Sequence, residues 1–240
     1  MTDIAIEVRD LHAWYGESHV LQGVSLNVRR GEVVTLLGRN GAGKTTTLKS
    51  ILGVLRKRTG DIRIGGQDAT RCALHHISRH GVGFVPEERG IFASLSVAEN
   101  LTLPPITRPG GMALDEIYTL FPNLFERRNS PGTRLSGGEQ QMLAIARILR
   151  TGADIILLDE PTEGLAPVIV QRIGKLIHTL KARGMTILLV EQNFRFARKV
   201  ADRYYVMEHG SIADEFTGAQ IEGRDARLNA LLGLAGGHSS

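Results

Sequence analysis

The chain has a single cysteine, Cys72, so no disulfide can close within it, and its stability must come from a packed core in what reads as a reducing compartment. It has no apolar run near the roughly 20 residues that a membrane-crossing helix requires. Runs such as Ile155 to Leu158 are far shorter. The opening MTDIAIEVRD places acids where a secretory leader would be apolar, which predicts a chain that is not secreted. Like charges form no block of five or six: 29 Lys and Arg and 25 Asp and Glu are scattered, for a net charge of +4. That pattern gives no electrostatic ground for a nucleic-acid partner. Neither an internal repeat nor sustained heptads occur, which excludes solenoids and long coiled coils.

What is present is ordinary for a globular protein. Two hundred and forty residues, 42% hydrophobic and 22% charged, can bury one sizeable core, and residues 1–240 are read as a single domain. Short β-type runs alternate with helical patterns, as in a mostly parallel sheet covered by helices. Val33 to Leu37, Ile155 to Leu158 and Thr186 to Val190 read as buried strands ending at polar residues. Ile6 to Val8, Ser25 to Val28 and Ile62 to Ile64 read as shorter strands of an antiparallel flank. From about residue 89 to 150 helical spacing dominates, broken by TLPPITRPGG at 102–111. The expected division is therefore a core of about 1–88 and 151–240 and an inserted helical subdomain of about 89–150.

Three motifs carry chemistry. Gly38-Arg39-Asn40-Gly41-Ala42-Gly43-Lys44-Thr45-Thr46 follows the strand at 33–37 and fits the phosphate-loop pattern, in which glycines turn backbone N–H groups inward around phosphate oxygens. Lys44 would place a cation on the β and γ phosphates of ATP, the Thr45 hydroxyl would ligate Mg²⁺, and Thr46 is read as the start of a helix whose positive end faces the anion. Asp159 and Glu160 end the run 155–158, and their adjacency separates their roles: Asp159 in the magnesium shell, Glu160 polarising a water in line with the γ-phosphate as general base. Leu135-Ser136-Gly137-Gly138-Glu139-Gln140-Gln141 precedes a helix with Met142, Ile145, Ala146 and Leu149 on one apolar face. Ser136 and Glu139 form a capping box. The two glycines are read as baring the helix end to a second phosphate, and since one γ-phosphate is already held at 38–46, this second end is expected to serve the nucleotide of another subunit.

These residues resemble the ABC ATPase family, whose signature LSGGQ stands at 135–139 with Glu139 in place of the last glutamine. The fold this implies is α/β, a P-loop NTPase core of ABC type with an antiparallel β flank and an inserted α-helical subdomain. The resemblance also implies that Tyr15 stacks on adenine, that Val20 packs beside the base, that Glu87 of Phe-Val-Pro-Glu87-Glu-Arg takes the place of a magnesium-contacting glutamine, and that Gln192 takes that of a histidine near the γ-phosphate. Gln192 can donate a hydrogen bond but cannot become cationic, so slow hydrolysis is expected. Glu163-Gly-Leu-Ala166 replaces a loop that usually ends in aspartate. VPEER, DEPTEGLAP and LVEQN are similar to the second ATPase of branched-chain amino acid importers and their urea or amide relatives. The partners implied are a second ABC ATPase subunit, preferably in a heterodimer, two transmembrane permeases docking near Glu87 to Asn100, and indirectly an extracytoplasmic substrate-binding protein. The place implied is the cytoplasmic face of the cell (inner) membrane. The competing readings are a soluble ABC ATPase of DNA repair or translation and an ATP-gated module that scarcely hydrolyses. Finally, Cys72, His76 and His80 are placed on one helix face, a spacing that suits metal ligation less than an exposed basic helix.

Overall fold

Strand β1 (Ile4–Tyr15) turns at Gly16 into β2 (Ser18–Arg29), and the pair is antiparallel from Tyr15 opposite Ser18 to Ile4 opposite Arg29. The computed structural model describes residues 3–221 together with 224, 228, 231 and 232. Both strands run to twelve residues, much longer than the apolar cores that betray them, because exposed polar residues such as Ser18, His19 and Gln22 take part in the pairing. After β3 (Val33–Gly38) and α1 (Lys44–Ile51), β4 (Arg58–Ile64) and β5 (Gln67–Asp68) complete a four-stranded antiparallel sheet in the order β2-β1-β4-β5.

The chain then passes through α2 (Leu74–Arg79) to β6 (Val82–Val85). Cys72 and His80 flank α2, so the face expected of Cys72, His76 and His80 does not form: the helix has only six residues and stops where Gly81 takes a positive φ. Between residues 89 and 150 the described elements are helical: α3 (Val97–Thr102), α4 (Leu114–Leu120), α5 (Pro122–Glu126) and α6 (Gly137–Arg150). Leu143, Ala146 and Leu149 of α6 share one cluster with Val97, Leu101, Ile117 and Phe121 and with the strand residues Ile156, Leu158 and Leu189. The helix is thus packed on two sides, which is why its burial exceeds the single face expected from Met142, Ile145, Ala146 and Leu149.

The remaining elements are β7 (Ile155–Asp159), α7 (Pro167–Ala182), β8 (Thr186–Glu191), α8 (Phe194–Val200), β9 (Arg203–Glu208) and β10 (Ser211–Thr217). They join β3 and β6 in a six-stranded sheet ordered β10-β9-β3-β8-β7-β6, parallel throughout except for the β10 edge. Every residue of β3, β7 and β8 is buried, as a parallel sheet covered on both faces requires. The register sets Leu37 beside Glu191, Asp159 beside Val190 and Val85 beside Leu158. Four carboxyl ends therefore meet along one edge, the place where ligands bind in open α/β sheets. The C-terminal GLAGGHSS, expected to fray, lies outside the described residues.

Candidate functional site

Helix α1 begins at Lys44, two residues earlier than expected. Its N-cap is Gly43, whose φ of 108° swings the chain from loop to helix in one step; a Cβ there would also meet Leu21 Cδ2 at 2.8 Å. Gly38 is required for closeness, since a Cβ would stand 2.7 Å from the Met207 carbonyl oxygen. Between them the loop folds over the Lys44 ammonium. Lys44 is buried, and its Nζ donates to the carbonyls of Gly38 at 2.9 Å and Arg39 at 3.1 Å and pairs with Glu160 Oε1 at 3.0 Å.

Glu160 is buried as well and holds a φ of +44°, a left-handed conformation that costs a non-glycine residue on the order of 1 kcal/mol or more and persists only where its surroundings enforce it. Its backbone N–H donates to Val190 O at 3.0 Å, and its Oε2 accepts from Gln192 Nε2 at 3.3 Å. Lys44, Glu160 and Gln192 thus form one chain of contacts, joining the three residues expected to be catalytic. Next to it, Thr45 Oγ1 donates to Asp159 Oδ1 at 3.0 Å. Two oxygens bound side by side to an octahedral Mg²⁺ with bonds of about 2.1 Å are themselves about 3 Å apart, so this hydroxyl and carboxylate fit the ion. Burial pushes the Asp159 carboxyl up to about 6 against the Thr45 hydrogen bond, with the charges of Glu160 and Glu87 adding to the rise. A divalent cation bound here would oppose that rise.

A cavity of about 310 Å³ opens above the loop, lined by Val20, Asn40, Gly41, Gly43, Lys44, Thr45, Thr46, Glu87, Glu160 and Glu163. Nine of these are residues the sequence points to, and Glu163 is the addition; a hydrogen bond with Glu160 raises its carboxyl, with burial helping. Tyr15 sits at the tip of the β1-β2 hairpin, 47% exposed and free to stack. A larger cavity of about 910 Å³ runs along β4 past Arg58 and Cys72 and includes no residue of the phosphate loop.

The 136–139 segment is not part of this cavity; Ser136, Gly138 and Glu139 border another with Ile169 and Arg172 of α7. The capping box is made: Glu139 N–H donates to Ser136 Oγ at 3.3 Å, and Ser136 N–H donates to Glu139 Oε2 at 2.8 Å. The glycines have a reason beyond a bare helix end. A Cβ on Gly138 would lie 2.8 Å from Ile169 Cγ2, and one on Gly137 would lie 3.3 Å from the Arg89 guanidinium. Arg89, which the sequence reading passed over, donates from Nη1 to Gln140 Oε1 at 3.0 Å and so links the Glu87 segment to α6.

Glu191 also belongs to the site, though no local motif marks it in the sequence. It is 1% exposed, and burial pushes its carboxyl up to about 7 although hydrogen bonds from Thr162 and Asn193 oppose the rise. Between the ordinary value of 4.5 and about 7 the folded chain therefore holds a proton that the unfolded chain has released. The resulting contribution is most favourable below that value and is lost as pH rises through about 7. Glu191→Gln, which carries no titrating proton, is expected to gain stability relative to the parent by on the order of 1–3 kcal/mol between pH 5 and pH 8. Denaturant unfolding of both proteins at the two pH values measures it.

A lysine cradled by a glycine loop at the mouth of a parallel sheet, with acidic strand ends opposite, defines a nucleotide hydrolase of the phosphate-loop class. The family profile described as ABC transporter matches residues 21–163. The high-affinity branched-chain amino acid transport ATP-binding protein BraG of Pseudomonas aeruginosa is 41% identical over 223 residues, 92% of this chain and 96% of that protein. The lipopolysaccharide export system ATP-binding protein LptB of Haemophilus influenzae is 38% identical over 215 residues, 86% of this chain and 88% of that one. Among solved structures, an ATP-binding cassette described as a dimer in a post-hydrolysis state bound to ADP and Pi superposes with a TM-score of 0.76 at 28% identity, covering 88% of this chain and 98% of that chain. The chain belongs to the ABC transporter ATP-binding family and is an ATP-binding, ATP-hydrolysing cassette. ABC ATPases dimerise and work with transmembrane components; no helix among the described residues is long and apolar enough to cross a membrane.

Proposed function

We propose that this cassette energises an importer of branched-chain or other hydrophobic amino acids from the cytoplasmic face of the cell (inner) membrane. The observation that carries the reading is the match to BraG over nearly the full length of both chains. Lipopolysaccharide export, the task in the name of LptB, is the competing reading, favoured by 38% identity; urea or amide import is a variant of the first. The chain, with its core at about 1–88 and 151–240 and its helical part at about 89–150, pairs with a second, different ATPase. Two permeases dock near Glu87 to Asn100 and receive cargo from an extracytoplasmic binding protein.

In this reading Tyr15 and Val20 hold adenine, and residues 38–46 hold the phosphates with Lys44 between them. Thr45, Asp159 and Glu87 would hold Mg²⁺, which would supply charge neutralisation at the phosphate oxygens. Glu160 accepts the proton of the attacking water. Gln192 donates to Glu160 and fixes its direction, and Ser136, Gly137, Gly138 and Glu139 meet the nucleotide held by the partner. The reading is tested in proteoliposomes holding this chain with its partner ATPase and permeases, with the binding protein supplied on the cargo side. Leucine uptake and leucine-stimulated ATPase support amino-acid import, urea-stimulated ATPase shifts the cargo, and stimulation by nucleic acid without permeases overturns the transporter reading.

A further inference from the structure

We propose that Glu191 is a positioning residue that holds Glu160 and Gln192 in register by clamping the two turns that carry them. Its Oε1 accepts from Thr162 Oγ1 at 2.7 Å and its Oε2 from the backbone N–H of Asn193 at 3.2 Å. Thr162, itself buried, lies two residues beyond Glu160, and Asn193 follows Gln192 and caps α8 by accepting from Phe196 N–H at 3.1 Å. One carboxyl group thus joins the turn after β7 to the turn after β8, the two turns whose Glu160 Oε2 and Gln192 Nε2 meet at 3.3 Å.

Two features show that the clamp is more than packing. Among the described residues no ion pair includes Glu191, so a buried acid is kept here without a cation, a costly choice where an apolar residue would serve a core alone. The residue it steadies also needs support. Glu160 sits at a φ of +44°, and such a backbone keeps its direction only when neighbouring groups over-determine it. A loosened turn would let the carboxylate leave the water's line of attack, and an error of about 1 Å in a reacting group costs on the order of 100-fold in rate. Nucleotide affinity, which rests on residues 38–46, would stay.

This inference rests on the reading of Glu160 as base, so Glu160→Gln accompanies the test. Steady-state ATPase and ATP affinity are measured on the full chain together with its partner ATPase for Glu191→Ala, Glu191→Gln and Thr162→Val. Glu191→Gln keeps both bonds, because the Thr162 hydroxyl can turn to accept from the new amide while the amide oxygen accepts from Asn193. The expected result is a fall in kcat of tenfold or more in Glu191→Ala with KM for ATP within twofold, a smaller fall in Thr162→Val, and Glu191→Gln within threefold of the parent. A parental kcat in Glu191→Ala, or equal losses of kcat and ATP affinity, overturns the clamp. If Glu191→Ala does not fold, Thr162→Val decides by the same criteria. Failure here with an inactive Glu160→Gln removes the clamp alone; a fully active Glu160→Gln removes the reading beneath it.

Discussion

Glu160→Gln is expected to lower kcat for ATP hydrolysis by roughly 100- to 10,000-fold, the span that general base catalysis supplies, while ATP still binds. The amide is nearly isosteric, and its oxygen can keep a contact with Lys44 Nζ, which the parent carboxylate meets at 3.0 Å. It cannot accept a proton from water. Since Asp159, Thr45 and the loop at 38–46 are untouched, affinity for ATP should remain within a few-fold of the parent, measured by equilibrium binding beside single-turnover hydrolysis. A variant that hydrolyses at the parental rate would move the role of base elsewhere, and Glu163, which shares the cavity, is the next carboxylate to examine.

Lys44→Ala is expected to abolish ATP binding at ordinary concentrations. The buried ammonium makes three contacts within 3.1 Å, and removing one partner of a buried charge pair costs about 3–5 kcal/mol. A similar loss against the phosphates corresponds to a Kd raised roughly 100-fold or more. The carbonyls of Gly38 and Arg39 would lose their donor, and Glu160 would be left buried without its cation, so a lower Tm should accompany the loss. Calorimetric titration with ATP and thermal melts read the two effects separately. Unchanged affinity would mean that the loop is not the phosphate site.

The site was legible because its parts are local. A glycine loop after a buried strand, an acidic pair at a strand end and a serine before two glycines each announce a conformation, and the parallel sheet brings the first two together. Tyr204, Tyr205 and Arg203 hid β9, because a strand opening with arginine looks exposed; yet Arg203 is buried, its charge met by Glu32 at 3.0 Å and Glu215 at 2.8 Å. The exposed pattern of β10 hid its pairing in the same way. Glu191 was passed over because only tertiary structure sets Thr162 beside it, and Arg89 because its partner Gln140 lies 51 residues away. Long-range polar contacts leave no period in a sequence, whereas caps and phosphate loops do.

The central claim is that nucleotide closes this chain against a partner cassette, the loop at 38–46 on one side and the segment at 136–139 on the other. Sedimentation of Glu160→Gln with its partner ATPase, with and without Mg-ATP, tests it most directly. Separate chains are expected without nucleotide and a stable pair with it. Pairing that is the same in both conditions, or no pairing at saturating Mg-ATP, would contradict it.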